Sequence, residues 1–176
     1  EAGDRIRDLL EIGVGFEKEN NAFHMAQEGG HSEARILHSK DATGKEIERA
    51  LTSAVSKSNI KMLPMTLAVD LIQSVHGDIS QGIAGVWSLD LISNEMKADS
   101  ADAVIIATGG AGCLWEQTTN PNVSTGDGLA MAIRAGAKAK DMAFVQFHPT
   151  SLAIPDTTRP FLITEALRGA GGVLLD

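Results

Sequence analysis

Apolar residues recur at helical spacing in three separate segments of the chain. These positions are Ile6, Leu9, Leu10 and Gly13 in the first segment, Ile47, Ala50, Leu51, Ala54 and Val55 in the second, and Leu129, Ala132 and Ile133 in the third. Each segment therefore predicts an amphipathic helix. The second begins with Thr43-Gly44-Lys45-Glu46, the pattern of a capping box, in which the Thr43 hydroxyl and the Glu46 carboxylate each bond the other residue's backbone amide.

Between residues 65 and 97 the apolar pattern changes to a period of two, which is typical of strands. The segments MTLAVDLIQSV and IAGVWSLDLI are joined by HGDISQG, which predicts an antiparallel ribbon. Residues 104–107 are a continuous apolar run, as expected of a strand buried on both faces. Residues 59–64, NIKMLP, predict a short strand that Pro64 ends. The order of elements indicates an α/β nucleotide-binding arrangement with an inserted β-meander.

Composition and charge narrow the class of protein. The chain has 176 residues and a formal net charge of -8, which argues against nucleic acid as the main partner because no basic stripe is available for phosphates. No apolar run approaches the roughly 20 residues that span a bilayer. The single cysteine, Cys113, cannot form an internal disulfide and is compatible with a reducing compartment. These features predict a cytoplasmic protein, and the apolar patterns at both ends predict an internal piece of a longer chain.

Two glycine-rich turns are candidates for binding a ligand. The apolar run ends in Thr-Gly-Gly at residues 108–110, which is either an ordinary tight turn or a place where the backbone approaches a ligand. The sequence STGDG at residues 124–128 opens the third helix, with Ser124 or Thr125 as its cap. Asp127 then either stabilises the helix dipole or bonds a ligand. Neither turn has the complete G-x-G-x-x-G pattern of dinucleotide sites.

Residues 28–38, EGGHSEARILH, are rich in charged and polar side chains and lie within a stretch, residues 16–39, that has no sustained pattern. Stretches of this length inside a compact domain tend to be functional or disordered. The composition predicts a charged lid or substrate loop, with a merely solvated loop as the alternative. We expect no metal site here, because His31 and His38 lack the spacing of a known zinc motif and have no cysteine nearby.

Residues 144–150, FVQFHPT, place two phenylalanines around a glutamine in a chain that is only 4% aromatic. In a strand, Gln146 and His148 point to one face and Phe147 to the other, and Pro149 ends the strand. The two phenylalanines would then anchor the strand. A histidine held in this way binds a carboxylate, transfers protons, or is simply a satisfied core residue.

Thr164 and Glu165 form a second polar pair in an apolar setting. They lie just before a helical stretch that ends near residue 169, and a helix N-terminus favours an anion. Together with Gln146 and His148 they are polar residues in otherwise apolar segments, which favours a binding site over unrelated packing.

Four of these motifs, in this order and at these separations, resemble one family. ATGG, TGDG, FVQFHPT and LITEALRG are similar to segments of the flavoprotein subunits of succinate dehydrogenase and fumarate reductase and of their relative L-aspartate oxidase. Residues 28–51 look like the L-aspartate oxidase branch, since the other enzymes usually have an aromatic residue in place of Glu28. The resemblance implies part of a doubly wound FAD-binding domain with a β-meander over residues 1–145, and the start of a capping domain over residues 146–176.

The resemblance also implies functions for individual residues. The implied FAD-binding positions are Ala68, Thr108, Gly109, Gly110 and Asp127, and the implied catalytic positions are His148, Glu165, Thr164, Glu28 and Gln146. His148 and Thr164 would bind a dicarboxylate. Glu165 would belong to a proton relay, and Gln146 would lie beside the flavin. Glu28 would meet the substrate ammonium, a group that succinate lacks.

The reaction implied by the resemblance is oxidation of L-aspartate to iminoaspartate in NAD biosynthesis. Hydride would pass to flavin N5, oxygen or fumarate would accept the electrons, and quinolinate synthase would be the pathway partner. Two alternatives stay open: a succinate dehydrogenase or fumarate reductase flavoprotein acting on another C4 dicarboxylate, and a non-catalytic cofactor-binding fragment. The chain lacks the family's N-terminal fingerprint, downstream arginine and second substrate histidine, and it has Ala170 where many relatives have glutamate. We therefore expect the chain alone to be inactive.

Overall fold

The computed structural model describes residues 2–40, 42–148, 150–152, 154, 160–173 and 175. The helices are α1 (Ala2–Ile12), α2 (Thr43–Ser56), α3 (Asp127–Arg134) and α4 (Ala166–Gly169), with a 3-10 helix at Gly112–Leu114. The strands are β1 (Lys18–Glu19), β2 (Ala22–Phe23), β3 (Met25–Ala26), β4 (Ile36–Leu37), β5 (Thr66–Val75), β6 (Asp78–Asp90), β7 (Glu95–Ser100), β8 (Ser151–Leu152) and β9 (Phe161–Leu162). All three predicted amphipathic helices are present.

The mixture of helices and sheets is consistent with the predicted α/β class. The strand pairs of the described part of the chain are antiparallel, so the doubly wound parallel sheet stays a prediction. The chain forms two compact units, unit 1 with residues 1–62 and 163–176, and unit 2 with residues 63–162. The predicted domain boundary near residue 145 is not tested by this division. Within the described residues, no helix has the length and apolar character that crossing a membrane requires.

Unit 1 has a small core between its two long helices. The core residues are Val14, Phe16 and Ala50, and Ala50 is only 1% exposed. The apolar residues packed against them are Ile6, Leu9, Leu10, Phe23, Leu37 and Ile47. The rings of Phe16 and Phe23 meet edge to face with their centroids 6.4 Å apart, a favourable aromatic geometry. The helical periodicity therefore identified part of the packed faces, because Ile47 and Ala50 of the predicted α2 stripe pack here, whereas Leu51 is 41% exposed and Ala54 is also exposed.

The predicted capping box at the start of α2 is wrong. No side chain caps this helix, and the Thr43 hydroxyl accepts a hydrogen bond from the Ser39 amide instead. The Glu46 carboxylate accepts hydrogen bonds from the Arg49 guanidinium and from the Gly15 amide at 2.8 Å. The Arg49 bond and then the Gly15 bond lower the pKa of Glu46 to about 2. Glu46 thus connects α2 to the segment after α1 rather than to its own N-terminus.

Residues 16–39 are more ordered than their sequence pattern suggests. They contain two small antiparallel hairpins, in which β1 pairs with β2 and β3 pairs with β4. Asn20 and Asn21 form the first turn with φ of 51° and 65°, as two-residue hairpin turns require. Strands of two residues are too short for a period of two to appear. Glu28 lies in the loop between β3 and β4.

Unit 2 is organised by an antiparallel meander with the order β5-β6-β7. This confirms the predicted ribbon and adds the strand β7. The connecting segment HGDISQG is mostly strand, because the turn is confined to His76 and Gly77. Register shifts interrupt the β5–β6 ladder at three places, between residues 68 and 75.

Three predicted strands are absent from the described residues. The segments 60–63, 104–107 and 144–148 lie outside helices and strands. A strand requires backbone partners on a neighbouring chain segment, and no described segment pairs with these three. The apolar run still has two different sides, because Val104 and Ile106 line a hollow in unit 2 whereas Ile105 is 90% exposed. Pro149, the predicted end of the last strand, lies outside the described residues.

The buried face of α3 is shifted from the predicted one. Gly128 and Met131 are buried, whereas Leu129 and Ile133 are 38% and 45% exposed. The shift follows from the close packing of Gly128 on the side chain of Thr108, which fixes the rotation of the helix. A pattern based on apolar side chains alone does not reveal this, because glycine contributes no side chain to it.

Candidate functional site

The two glycine-rich turns of unit 2 lie side by side. The Gly126 amide donates a hydrogen bond to the Gly110 carbonyl at 3.3 Å. The Cys113 amide donates another to the Ser124 carbonyl at 2.9 Å. These bonds join the end of the apolar run to the start of α3, so the structure brings together two motifs that are distant in the sequence.

The turn at residues 108–110 leaves its backbone accessible. Gly109 has a φ of +76°, a left-handed conformation that favours glycine, and a Cβ added at Gly109 or Gly110 would meet no atom within 4 Å. At Gly128, by contrast, an added Cβ would overlap Thr108 Oγ1. Gly128 is therefore required for packing, whereas Gly109 and Gly110 present their backbone to open space that a ligand can enter.

Asp127 begins α3 with an exposed and oriented carboxylate. Its Oδ2 accepts a hydrogen bond from the Thr125 hydroxyl at 2.7 Å. Gly126, with a φ of +79°, occupies the N-cap position, and no side chain caps the helix. The prediction of Ser124 or Thr125 as cap is therefore wrong, because the Thr125 hydroxyl holds the Asp127 carboxylate instead. This arrangement leaves Asp127 able to accept further hydrogen bonds.

Ala68 lies on β5, opposite Ser88 of β6 and next to a break in the strand register. The last turn of α3 holds this part of the strand. Arg134 donates hydrogen bonds to the Val69 carbonyl at 3.2 Å and to Asp70 Oδ2 at 2.9 Å. The hydrogen bond from Arg134 lowers the pKa of Asp70. The backbone beside Ala68 is thus fixed by an ion pair to the helix that carries Asp127.

A cavity of about 450 Å³ adjoins the glycine-rich turns within unit 2. Its lining includes Gly112, Leu114, Trp115, Leu129, Gln146 and His148. Phe147 also lines it and meets Trp115 edge to face with ring centroids 6.4 Å apart. The prediction that Phe147 points away from Gln146 and His148 is wrong, since this segment is not a strand. Phe144 and Phe147 are 84% and 65% exposed and do not anchor a buried strand.

His148 is half-buried and oriented by Thr150, which is 5% exposed. The Thr150 amide donates a hydrogen bond to His148 Nδ1 at 3.2 Å, and the Thr150 hydroxyl lies 3.1 Å from the same nitrogen. Because Nδ1 accepts a hydrogen bond, the proton of the neutral imidazole is on Nε2. An imidazole held in this tautomer can donate a hydrogen bond to a carboxylate through Nε2.

In unit 1, the loop between β3 and β4 packs against α4. A Cβ added at Gly29 would lie 3.0 Å from Glu165 Oε2, and one added at Gly169 would overlap the Gln27 carbonyl oxygen. Glu28, which is half-buried, lies between these two contact points in the chain. The structure therefore places the segments that carry Glu28 and Glu165 in contact.

Arg168 is a residue of this region that the sequence analysis did not select. Its Nη1 donates hydrogen bonds to both carboxylate oxygens of Glu165, at 2.9 and 3.1 Å. Thr164 begins the same turn, and its carbonyl accepts a hydrogen bond from the Leu167 amide at 3.1 Å. The spacing of three residues between Glu165 and Arg168 on a helix could have identified this pair.

His31 follows Glu28 in the same loop, and its amide donates a hydrogen bond to the Glu28 carbonyl at 3.1 Å. The Nδ1 atom of His31 is buried and has no hydrogen-bond partner among the described residues. Buried polar atoms are usually satisfied, so an unsatisfied one is the kind of atom that a ligand completes. His148 belongs to unit 2 and Thr164 and Glu165 belong to unit 1, so their grouping around one substrate stays a prediction.

Comparison with known proteins identifies the family. A family model described as an FAD binding domain matches residues 1–176. The chain belongs to the FAD binding domain family. FAD is therefore its cofactor, as predicted. The accessible backbone at Gly109 and Gly110 and the oriented carboxylate of Asp127 fit this cofactor, because the first permits close approach and the second accepts hydrogen bonds from hydroxyl groups.

Named relatives agree with the predicted branch of this family. The chain is 46% identical to the chloroplastic L-aspartate oxidase of Arabidopsis thaliana over 184 residues, which cover 99% of the chain and 28% of the relative. It is 44% identical to L-aspartate oxidase of Yersinia pestis over 183 residues, covering 96% of the chain and 33% of the relative. The predicted resemblance to L-aspartate oxidase is confirmed. The chain spans about a third or less of these relatives.

Solved structures agree on the wider family. Quinol fumarate reductase of E. coli is similar with a TM-score of 0.86 and 28% identity, covering 98% of this chain and 28% of that chain. Mycobacterium smegmatis Sdh1 is similar with a TM-score of 0.81 and 32% identity, covering 96% of this chain and 30% of that chain. The described fold is therefore one that these flavoproteins contain.

Proposed function

We propose that the complete protein oxidises L-aspartate to iminoaspartate with FAD as the hydride acceptor. The observation that carries the proposal is the contact between the loop of Glu28 and the segment of Glu165 and Arg168 in unit 1. This contact combines a carboxylate that suits an ammonium group with an arginine–carboxylate pair and a buried nitrogen of His31 that has no partner in the described part of the chain. The similarity to L-aspartate oxidases over nearly the whole chain supports the same substrate.

The cofactor-binding part of the proposal concerns residues of unit 2. Thr108, Gly109 and Gly110 would lie against the cofactor, with Asp127 accepting hydrogen bonds from it and Ala68 beside the adenine. Bound FAD supplies the electron sink that the side chains of the protein lack, and the protein contributes orientation and polarity. The ion pair between Arg134 and Asp70 would keep the Ala68 strand and the Asp127 helix in fixed register during this binding.

The substrate part of the proposal carries over the predicted residue functions. His148 would donate a hydrogen bond through Nε2 to a substrate carboxylate, the Thr164 hydroxyl would donate another, and Gln146 would orient the substrate against the cofactor. Glu165, held by Arg168, would receive or return a proton. A charge-assisted pair of this kind keeps the carboxylate oriented while it exchanges the proton with a neighbouring group.

Glu28 would determine the choice of substrate. L-Aspartate carries an ammonium group that succinate lacks, and leaving such a charge without a partner at a half-buried position costs about 2 kcal/mol or more. A carboxylate at position 28 removes that cost for L-aspartate and offers nothing to succinate. The preference for the amino acid would therefore depend on this single side chain more than on the residues that bind the carboxylates.

Substitution of Glu28 in the full-length, FAD-loaded protein tests the proposal. We expect Glu28→Gln to lower kcat/KM for L-aspartate at least about tenfold, equivalent to about 1.4 kcal/mol, with little effect on succinate. Glu33→Gln is the matched control, because Glu33 is an exposed carboxylate of the same loop. FAD content is measured for each variant to exclude misfolding. An unchanged preference for aspartate over succinate in both Glu28→Gln and Glu28→Phe would remove the argument.

A second candidate function is that of a fumarate reductase or succinate dehydrogenase flavoprotein, which the TM-score of 0.86 to quinol fumarate reductase favours. The two functions differ in the amino group of the substrate, so turnover of L-aspartate and of succinate by the unsubstituted enzyme separates them. For the leading proposal, oxygen or fumarate would accept the electrons, and quinolinate synthase would use the product in NAD biosynthesis. Measurement of oxygen consumption against fumarate consumption distinguishes the two acceptors.

A further inference from the structure

Three residues from separate parts of unit 1 meet beside its small hairpins. Glu17 precedes β1, His24 lies between β2 and β3, and His38 follows β4. Their backbones are joined directly, because the Glu17 amide donates to the His38 carbonyl at 2.9 Å and the His24 amide donates to the Glu17 carbonyl at 3.0 Å. Backbone hydrogen bonds therefore hold the three residues next to one another. We call these residues the Glu17–His24–His38 cluster.

The polar atoms of the cluster lie close together. His24 Nδ1 lies 2.8 Å from His38 Nε2, and His38 Nδ1 lies 3.7 Å from Glu17 Oε2. One ligand atom from each residue can be chosen so that all three lie within 4.8 Å of one another. The other oxygen of Glu17 accepts a hydrogen bond from the Lys40 amide at 2.9 Å, which orients the carboxylate. The arrangement thus has two imidazoles and one held carboxylate.

We propose that the Glu17–His24–His38 cluster binds a divalent transition-metal ion of the Zn²⁺ type. Imidazole nitrogen and carboxylate oxygen are common ligands for Zn²⁺, and ions such as Mg²⁺ and Ca²⁺ prefer an all-oxygen set. Three protein ligands leave one position of a tetrahedral ion for water, and water can reach this position because His24 is exposed. No residue of the cluster belongs to the proposed aspartate site, so the inference is independent of the proposed function.

Metal binding requires the side chains to move, because the three ligand atoms lie only within 4.8 Å of one another and His38 presents different ring nitrogens to His24 and Glu17. Nitrogen ligands lie about 2.0–2.1 Å from Zn²⁺, so two of them at a tetrahedral ion are about 3.3 Å apart. The present distance between His24 Nδ1 and His38 Nε2 is 2.8 Å, so these nitrogens must separate by about half an ångström. His24 is exposed and can rotate by this amount, whereas the side chain of His38 is only 18% exposed and provides the fixed half of the site.

The expectation of no metal site rested on His31 and His38, and the structure pairs His38 with His24 instead. The competing interpretation is that His24 and His38 form only a hydrogen-bonded pair, with Glu17 as a partner when His38 is protonated. The two interpretations differ in whether the cluster takes up a metal ion.

Calorimetric titration of the full-length, FAD-loaded protein with Zn²⁺ at about pH 7.5 tests the site. We expect saturable binding that includes one ion per chain at this cluster. His24→Gln and His38→Gln should each remove that ion or weaken its binding at least about tenfold, and Glu17→Gln should weaken it about tenfold. His76→Gln is the matched control, since His76 is an exposed histidine in the β5–β6 turn, and it should bind as the unsubstituted protein does.

Two further measurements, of the melting temperature and of the FAD content, test the site. Zn²⁺ should raise the melting temperature of the unsubstituted protein and of His76→Gln, but should raise it less in His38→Gln, because a ligand that binds the folded state stabilises it. FAD content and melting in the presence of a chelator establish that each variant is folded. Absence of Zn²⁺ binding, or binding with the same stoichiometry and affinity in His24→Gln and His38→Gln, would show a hydrogen-bonded pair only and overturn the proposal.

Discussion

At the scale of single residues, the glycines near the cofactor turn differ in the space that is available for a side chain. Gly128 is buried in the first turn of α3, where an added Cβ would lie 2.8 Å from Ile106 Cγ2 and would overlap Thr108 Oγ1. Alanine is favoured over glycine in a helix by about 1 kcal/mol, but overpacking costs about 1–3 kcal/mol. We therefore expect Gly128→Ala to destabilise the full-length protein and to lower its FAD content, measured by thermal unfolding and flavin absorbance.

The matched control for this substitution is Gly44→Ala. Gly44 also lies in the first turn of a helix, and an added Cβ there would meet nothing within 4 Å. This variant should be neutral or stabilised by up to about 1 kcal/mol, with unchanged FAD content. Equal stability of the two alanine variants would mean that the contact between α3 and Thr108 is not maintained in the full-length protein.

At the scale of elements, the carboxylate of Glu46 adds to the packing of α2 against the segment after α1. The pKa of Glu46 falls from 4.5 to about 2 because the Arg49 guanidinium and the Gly15 amide donate hydrogen bonds to it. Since the pKa is lower in the folded state, the stabilisation is fully present above about pH 4.5 and is lost as the pH falls towards about 2. The melting temperature of Glu46→Gln should thus lie below that of the unsubstituted protein by the same amount at about pH 7 and pH 5.5, and by less at about pH 3.5.

Glu48→Gln provides the control for the pH experiment, because Glu48 is an exposed carboxylate on the same helix. It should show no such pH-dependent difference. If the melting temperature of Glu46→Gln stays below that of the unsubstituted protein by the same amount down to about pH 3.5, the shape of the Glu46 side chain rather than its charge accounts for its effect on stability.

The elements also show which parts of the fold a sequence can reveal. Helices were predicted because their hydrogen bonds are local and their apolar period is visible within one segment. The β5–β6 ribbon was predicted because its two strands are adjacent in sequence. The runs at residues 104–107 and 144–148 were predicted as strands from their apolar residues alone, and a strand forms only where a partner exists. The capping box failed for a related reason, since a distant amide, that of Gly15, competes for Glu46.

At the scale of the whole molecule, the resemblance to known motifs gave more of the site than the physical patterns did. The family and the cofactor followed from four short motifs, whereas Arg168 was found only in the structure. His24 and His38 are 14 residues apart, and they meet because backbone pairing of the short hairpins joins their segments. Such non-local contacts have no periodic signal in the sequence, so the proposed metal site could not be read from it.

The whole-molecule prediction concerns the parallel sheet of the predicted fold. Ile105 is 90% exposed although it lies in a continuous apolar run. The chain spans 28% of the Arabidopsis relative. If the complete protein forms the doubly wound sheet, neighbouring strands bury Ile105, and an aspartate there costs about 3–5 kcal/mol through lost packing and an unpaired charge. We expect Ile105→Asp to abolish FAD retention and soluble expression of the full-length protein. Ile92→Asp is the control, since Ile92 is 81% exposed in the β6–β7 turn and should tolerate aspartate. Full-length Ile105→Asp that melts like Ile92→Asp would show that the run stays at the surface, and the doubly wound sheet would then be wrong for this protein.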